Sequence, residues 1–187
     1  MVINYFGERC FRLQSGEVSL LADPASNRLK ADVIIRTLAQ TDLASSPAGD
    51  ISFPGEYEVH GMEVVGFPVP GESTGKFIKT VYRVEWEGMS FVFLGHVAKV
   101  PEAEWFSKIG EADVLFLPLD GESYLSPENA SAVVRELSPK ITVVGETKNM
   151  PEMLRALGRK AEPQDKLVFK RKDIEGEEGK VIVLRAA

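Results

Sequence analysis

Asp32-Val33-Ile34-Ile35-Arg36-Thr37 is the segment that most restricts the fold. Its centre is a run of β-branched residues, which favour extended backbone, and no polar residue alternates with them. Such a run reads as a strand buried on both faces, so the rest of the chain has to cover it from either side. Ahead of it, Val2-Ile3-Asn4-Tyr5-Phe6, Cys10-Phe11-Arg12-Leu13 and Val18-Ser19-Leu20-Leu21 are short, partly alternating runs broken at Gly7 and Gly16. They predict an antiparallel meander. Behind it, Ala44 to Asp50 is a turn-rich loop. Tyr57 to His60 and Met62 to Phe67 form a predicted hairpin about Gly61. Pro70 to Lys76 is a loop, and Thr80 to Trp86 with Ser90 to Leu94 form a second hairpin about Glu87-Gly88.

Helices come late. One is predicted from Pro101 to Gly110, with Trp105, Phe106 and Ile109 on its apolar side. Ser126 caps a second, which opens at Pro127 and carries Ala130, Val133, Val134 and Leu137 at helical spacing. A third runs from Pro151 to Gly158. Strands at Val114–Leu117 and Ile141–Val144 lie between them, and Lys166–Lys172 with Lys180–Arg185 read as a closing hairpin. No linker interrupts the pattern, so a single domain over residues 1–187 is expected. Periodicity alone gives a mixed α and β chain, strand-rich at the front.

Composition narrows the function classes. The 187 residues carry a net charge of -6, which argues against the clustered Lys and Arg of a nucleic-acid footprint. Cys10 is the only cysteine, so no intramolecular disulfide forms. It precedes Phe11 in an apolar strand and reads as a small buried hydrophobe. No basic-then-apolar leader and no stretch of about 18 apolar residues is present, so the expectation is a cytoplasmic protein without a membrane span.

Several segments, in order, resemble the metallo-β-lactamase superfamily. Thr37-Leu38-Ala39-Gln40-Thr41-Asp42-Leu43 is similar to the loop Thr-His-x-His-x-Asp-His, and Gly7-Glu8-Arg9-Cys10-Phe11 to the turn Gly-His-x-x-Phe. Asp23-Pro24 matches the Asp-Pro that follows the second strand. Pro54-Gly55-Glu56-Tyr57-Glu58-Val59-His60-Gly61 resembles a segment of the L-ascorbate-6-phosphate lactonase-like branch and its small bacterial homologues. Phe93-Leu94-Gly95-His96 stands where that branch has His-Leu-Gly-Asp, and Glu146 falls on a further ligand position. The resemblance implies an α/β (α+β) fold, a four-layer αββα sandwich of two mixed β-sheets with helices outside.

It also implies a degenerate metal-binding motif. Where the family has imidazoles, this chain has Leu38, Gln40 and Leu43, and only Asp42 survives in that loop. Leucine has no lone pair for a metal, and glutamine replaces imidazole poorly on zinc. Two histidines, His60 and His96, are too few for a two-metal site. Each remaining candidate also has a plainer reading. Asp42 suits a cap or Asx turn, His96 a strand-end histidine bonded to a neighbour, and Glu146 an exposed charge after a strand.

The expected function is a non-catalytic scaffold, a pseudoenzyme that binds a small molecule or a protein and holds no cofactor. Its sequence is compatible with a homo-oligomer. The competing expectation is a divergent hydrolase with a weakly bound divalent metal, in which Asp42, His96 and Glu146 line one cleft.

Overall fold

The structure is a computed structural model that describes residues 1–42, 47–118, 124–148 and 150–187. The chain opens with strands β1 (Val2–Tyr5), β2 (Phe11–Ser15), β3 (Val18–Ala22), β4 (Val33–Ile35) and β5 (Leu38–Gln40). Then come β6 (Gly55–Val59), β7 (Met62–Pro68), β8 (Phe77–Trp86) and β9 (Met89–Phe93). Helices and strands alternate afterwards: α1 (Ala103–Ile109), β10 (Val114–Phe116), α2 (Pro127–Leu137), β11 (Ile141–Gly145) and α3 (Met150–Ala156). The chain closes with β12 (Leu167–Val168), α4 (Arg171–Ile174) and β13 (Lys180–Leu184).

Two mixed sheets result. The first has the order β12-β1-β2-β3-β4, and the second β13-β11-β10-β9-β8-β7-β6, with β5 joined to β8. The meander β1-β2-β3 is antiparallel, and β4 returns parallel to β3 after the loop that carries Asp23-Pro24. In the larger sheet, β9, β10, β11 and β13 are parallel while β6 to β9 are antiparallel.

Two-residue periodicity places the core on both sides of the larger sheet. Tyr82, Val84, Phe91, Phe93, Val114, Phe116 and Val143 face the smaller sheet and meet Ile3, Tyr5, Phe11, Leu13 and Leu20. Phe93 stacks on Phe116 with ring centroids 4.3 Å apart. Their neighbours Val81, Val92, Leu115, Val144, Val181 and Val183 point the other way, onto Trp105, Phe106, Ile109, Val133, Leu137 and Met153 of α1, α2 and α3. Central strands buried on both faces are why these segments lack polar alternation. Removing each of those side chains from water contributes roughly 1.5–3 kcal/mol.

Local chemistry sets the helix ends. The Ser126 hydroxyl accepts from Asn129 N at the start of α2, and Ser138 stops that helix with φ 42°. Gly110 ends α1 with its N–H on Phe106 O. Among the described residues no helix is long and apolar enough to cross a membrane.

Three expectations change. Val33–Ile35 is not covered on both faces: β4 is the edge strand of the smaller sheet, and Ile34 is only half-buried while Val33 and Ile35 point into the core. Residues 166–172 and 180–185 do not pair with each other: β12 is antiparallel to β1 in the smaller sheet, and β13 is parallel to β11 in the larger. Leu167, Phe169 and Ile174 are drawn into the core between the sheets, so this segment connects two sheets instead of folding back as a hairpin. Similarly, Leu38–Gln40 is not loop but a short strand, antiparallel to Phe77–Lys79.

Candidate functional site

The carboxyl ends of β3, β4 and β9 meet in one hydrogen-bonded cluster. Asp23 follows β3 and accepts two bonds from Thr37, from its N–H at 2.7 Å and from its hydroxyl at 2.6 Å. Thr37 follows β4, is 1% exposed, and stands 2.7 Å from His96 Nδ1 through the same hydroxyl. His96 follows β9 and reaches Thr37 because Gly95 leaves room: a Cβ on Gly95 would overlap the Thr37 side chain, and Gly95 has φ 53°. With Asp23 ionised, its oxygens take both Thr37 protons. The Thr37 oxygen then accepts from His96 Nδ1–H, and Nε2 is left as the imidazole's lone-pair nitrogen.

Burial sets the electrostatics. It raises the Asp23 carboxyl above its ordinary range, while hydrogen bonds from Thr37 and the charges of Arg9 and Arg36 oppose that rise. It also pulls His96 down to about 4, helped by the positive charges of Arg9 and Lys79. His96 is therefore neutral near pH 7, and its 3.9 Å separation from Asp23 is no ion pair. The Cys10 thiol is pushed up to about 12 by burial and by Asp23, which leaves it a packed, unreactive side chain.

A cationic rim adjoins this cluster. The turn from β1 to β2 has Gly7, Glu8 and Arg9 in succession at positive φ (85°, 47° and 76°), closed by Phe6 N–H on Cys10 O. It carries the Arg9 guanidinium onto the face of Tyr124, 4.9 Å from the ring centroid. His96 lies tilted against the same ring, 6.1 Å between centroids. Arg9 Nε is buried without a hydrogen-bond partner. Behind His96, Glu72 holds the next loop by accepting from Ala98 and Lys99 N–H, and pairs with Lys79 at 2.7 Å.

The residues singled out in the sequence are distributed unevenly about this cluster. His96 is in it. Leu38 is half-buried on β5, and Gln40 and Asp42 are exposed. Glu146 follows β11, exposed, with its N–H on Leu184 O. Leu43 lies outside the described residues. Asp23, Thr37, Gly95, Arg9 and Tyr124 complete the cluster and its rim, and sequence reasoning did not select them. Asp23-Pro24 and Thr37 were visible as motif residues, and Gly95 as a glycine beside a candidate. Nothing in the sequence joins Arg9 to Tyr124.

A family model described as a beta-lactamase superfamily domain matches residues 2–144. Among solved structures, a candidate Zn-dependent hydrolase of the metallo-beta-lactamase superfamily from Thermotoga maritima is 25% identical, with 98% of each chain covered and a TM-score of 0.79. A candidate metal-dependent hydrolase from Parabacteroides distasonis is 17% identical over 98% of this chain and 92% of that one, with a TM-score of 0.67. A metallo hydrolase from Ignicoccus hospitalis is 16% identical over 90% and 99%, with a TM-score of 0.66. The last two likenesses concern the fold. No curated protein matches the chain.

The donors present here do not suit the zinc named for the Thermotoga protein. Among the described residues no group of three or more His, Cys, Asp or Glu side chains could hold a metal ion. Asp42, His96 and Glu146 are thus not gathered into one ligand set, and His96 Nδ1 is already engaged by Thr37.

Proposed function

As this chain belongs to the beta-lactamase superfamily, we propose that it is a member without the metal chemistry, a non-catalytic scaffold that binds a small molecule or a protein. The observation that carries this reading is the engagement of His96. The imidazole at a former metal position is held by Thr37 through Nδ1, while Leu38, Gln40 and Glu146 stand at three other ligand positions and Leu43 at a fourth. The family chemistry depends on a metal that lowers the pKa of bound water from 15.7 to about 7. The exposed carboxylates of Asp42 and Glu146 offer no comparable activation. Within the superfamily, Pro54–Gly61 and Phe93–His96 support kinship with the L-ascorbate-6-phosphate lactonase-like branch. The reading takes residues 1–187 as one domain of a cytoplasmic protein.

Protein purified without chelators should hold no stoichiometric zinc, iron or manganese. It should leave phosphodiesters, lactones, thioesters and β-lactams intact when zinc or manganese is added. Stoichiometric metal, together with a turnover lost in Asp42→Ala or His96→Ala, would replace this reading with a divergent metal-dependent hydrolase.

A further inference from the structure

Arg9 is placed at a cost that packing does not explain. Three consecutive residues at positive φ, two of them not glycine, form the turn that presents it. Its Nε is buried with no acceptor, and its guanidinium has no hydrogen bond or ion pair among the described residues. A buried donor left unmade is destabilising. The Tyr124 face orients the guanidinium plane but accepts none of its fork of N–H groups. Beside it on the same ring lies His96, whose Nδ1 is taken by Thr37 and whose Nε2 has no partner among the described residues. Thr37, fixed by Asp23, leaves Nε2 as a hydrogen-bond acceptor next to a cation.

These two groups ask for complementary atoms. The guanidinium fork takes an anionic oxygen, in two parallel bonds where the anion is a carboxylate or phosphate. The Nε2 lone pair takes a hydroxyl proton. We propose that Arg9 and His96 form a binding site for a small oxyanion that carries its own hydroxyl, a hydrogen phosphate group or a hydroxy acid. Arg9 holds the charge, and His96 reads the hydroxyl proton. The inference rests on the reading of this end of the fold as a ligand-binding site, and it names the ligand class.

The test is calorimetric titration of the full chain in EDTA near neutral pH, with two matched pairs of probes. Inorganic phosphate and sulfate have the same shape, but only phosphate has a proton to donate. Glycolate and acetate differ by one hydroxyl. Phosphate or glycolate should bind about tenfold or more tightly than its matched partner, and the favoured pair identifies the source. Arg9→Met should weaken binding of the preferred probe by about tenfold or more. His96→Phe should bring the two members of that pair together.

Equal binding within both pairs, or undiminished binding by Arg9→Met, would each overturn the proposal. Chelator keeps this outcome separate from the metal question: a zinc-loaded protein would defeat the non-catalytic reading without altering the proton-dependent discrimination.

Discussion

At the amino end of β10, Asp113 accepts from the N–H of Ser90 at 2.8 Å and from its hydroxyl at 3.3 Å, and Lys140 closes on it at 2.6 Å. At the carboxyl end of β3, Asp23 receives the same two kinds of donor from Thr37, but no lysine closes on it. The outcomes are opposite. Burial is the largest influence on Asp113 and pushes it up, yet the bonds from Lys140 and Ser90 outweigh it and the carboxyl titrates below its ordinary range. For Asp23 burial prevails and the carboxyl is raised. One end of the sheets is satisfied by a direct ion pair and serves stability. The other keeps a buried carboxylate, a neutral imidazole and a guanidinium with no hydrogen bond or ion pair among the described residues in one place, which is an arrangement suited to a ligand.

The largest expected effect comes from breaking the carboxyl end at its tightest contact. Gly95→Ala forces a methyl group into Thr37 at φ 53° and should cost about 3 kcal/mol or more. Gly88, in the β8–β9 turn, also has positive φ, at 70°, but its nearest neighbour is the far end of the Arg171 side chain, which can move. Gly88→Ala should cost only about 1 kcal/mol. Denaturant midpoints for the two variants decide it. Equal losses would mean that Thr37 yields as easily as a surface arginine, and that the cluster is loosely built.

Acid titration separates the two ends by pH. His96 has a folded pKa of about 4 against an ordinary 6.5, so between those values the unfolded chain binds the extra proton and stability falls with falling pH. The depression corresponds to about 3 kcal/mol, fully present above pH 6.5 and lost by about pH 4. Asp113 is depressed below its ordinary 3.8, so its contribution is present above that value and is lost at lower pH. Asp23 is raised, which has the reverse sign: its contribution is present below 3.8 and lost as pH rises through its higher folded value. His96→Phe should therefore flatten the stability curve between pH 6.5 and 4, and Asp113→Asn should lower the plateau while converging with the wild type in strong acid. An unchanged slope between pH 6.5 and 4 in His96→Phe would show that this imidazole is solvated.

How much of this was legible in the sequence depended on whether a signal was local. The hairpins at Gly61 and Glu87-Gly88 announce themselves through turn residues between extended runs, and Ser126-Pro127 announces α2 through capping chemistry. Such signals span a few residues and need no tertiary partner. β12 has two residues and α4 one turn, too short for either periodicity to register, so sequence alone gives a hairpin where the strands join different sheets. At the site, only order along the chain assigns motif positions to Leu38, Gln40 and Glu146, by resemblance. The bond between Thr37 and His96 spans 59 residues, and the Tyr124 ring shared by Arg9 and His96 depends on how distant segments meet; neither has a local signature.

The smallest effect tests the proposal that Leu38 stands at a former ligand position. Leu38 is half-buried on β5, a three-residue strand paired with Phe77–Lys79 of β8, so Leu38→His removes about half of one leucine's burial. That predicts a loss of about 1 kcal/mol, well below the loss expected from Gly95→Ala. On that proposal an imidazole at position 38 should also fail to create a metal site, because His96 Nδ1 remains on Thr37 and Gln40 remains exposed. The measurement is the denaturant midpoint of Leu38→His with and without zinc. Zinc at a hundredfold excess over its dissociation constant would add about 2.7 kcal/mol to a protein that binds it only when folded. A gain of that size in Leu38→His, absent from the wild type, would show that one side chain separates this end of the fold from a metal site. No gain would support the reading of this chain as a member without the metal chemistry.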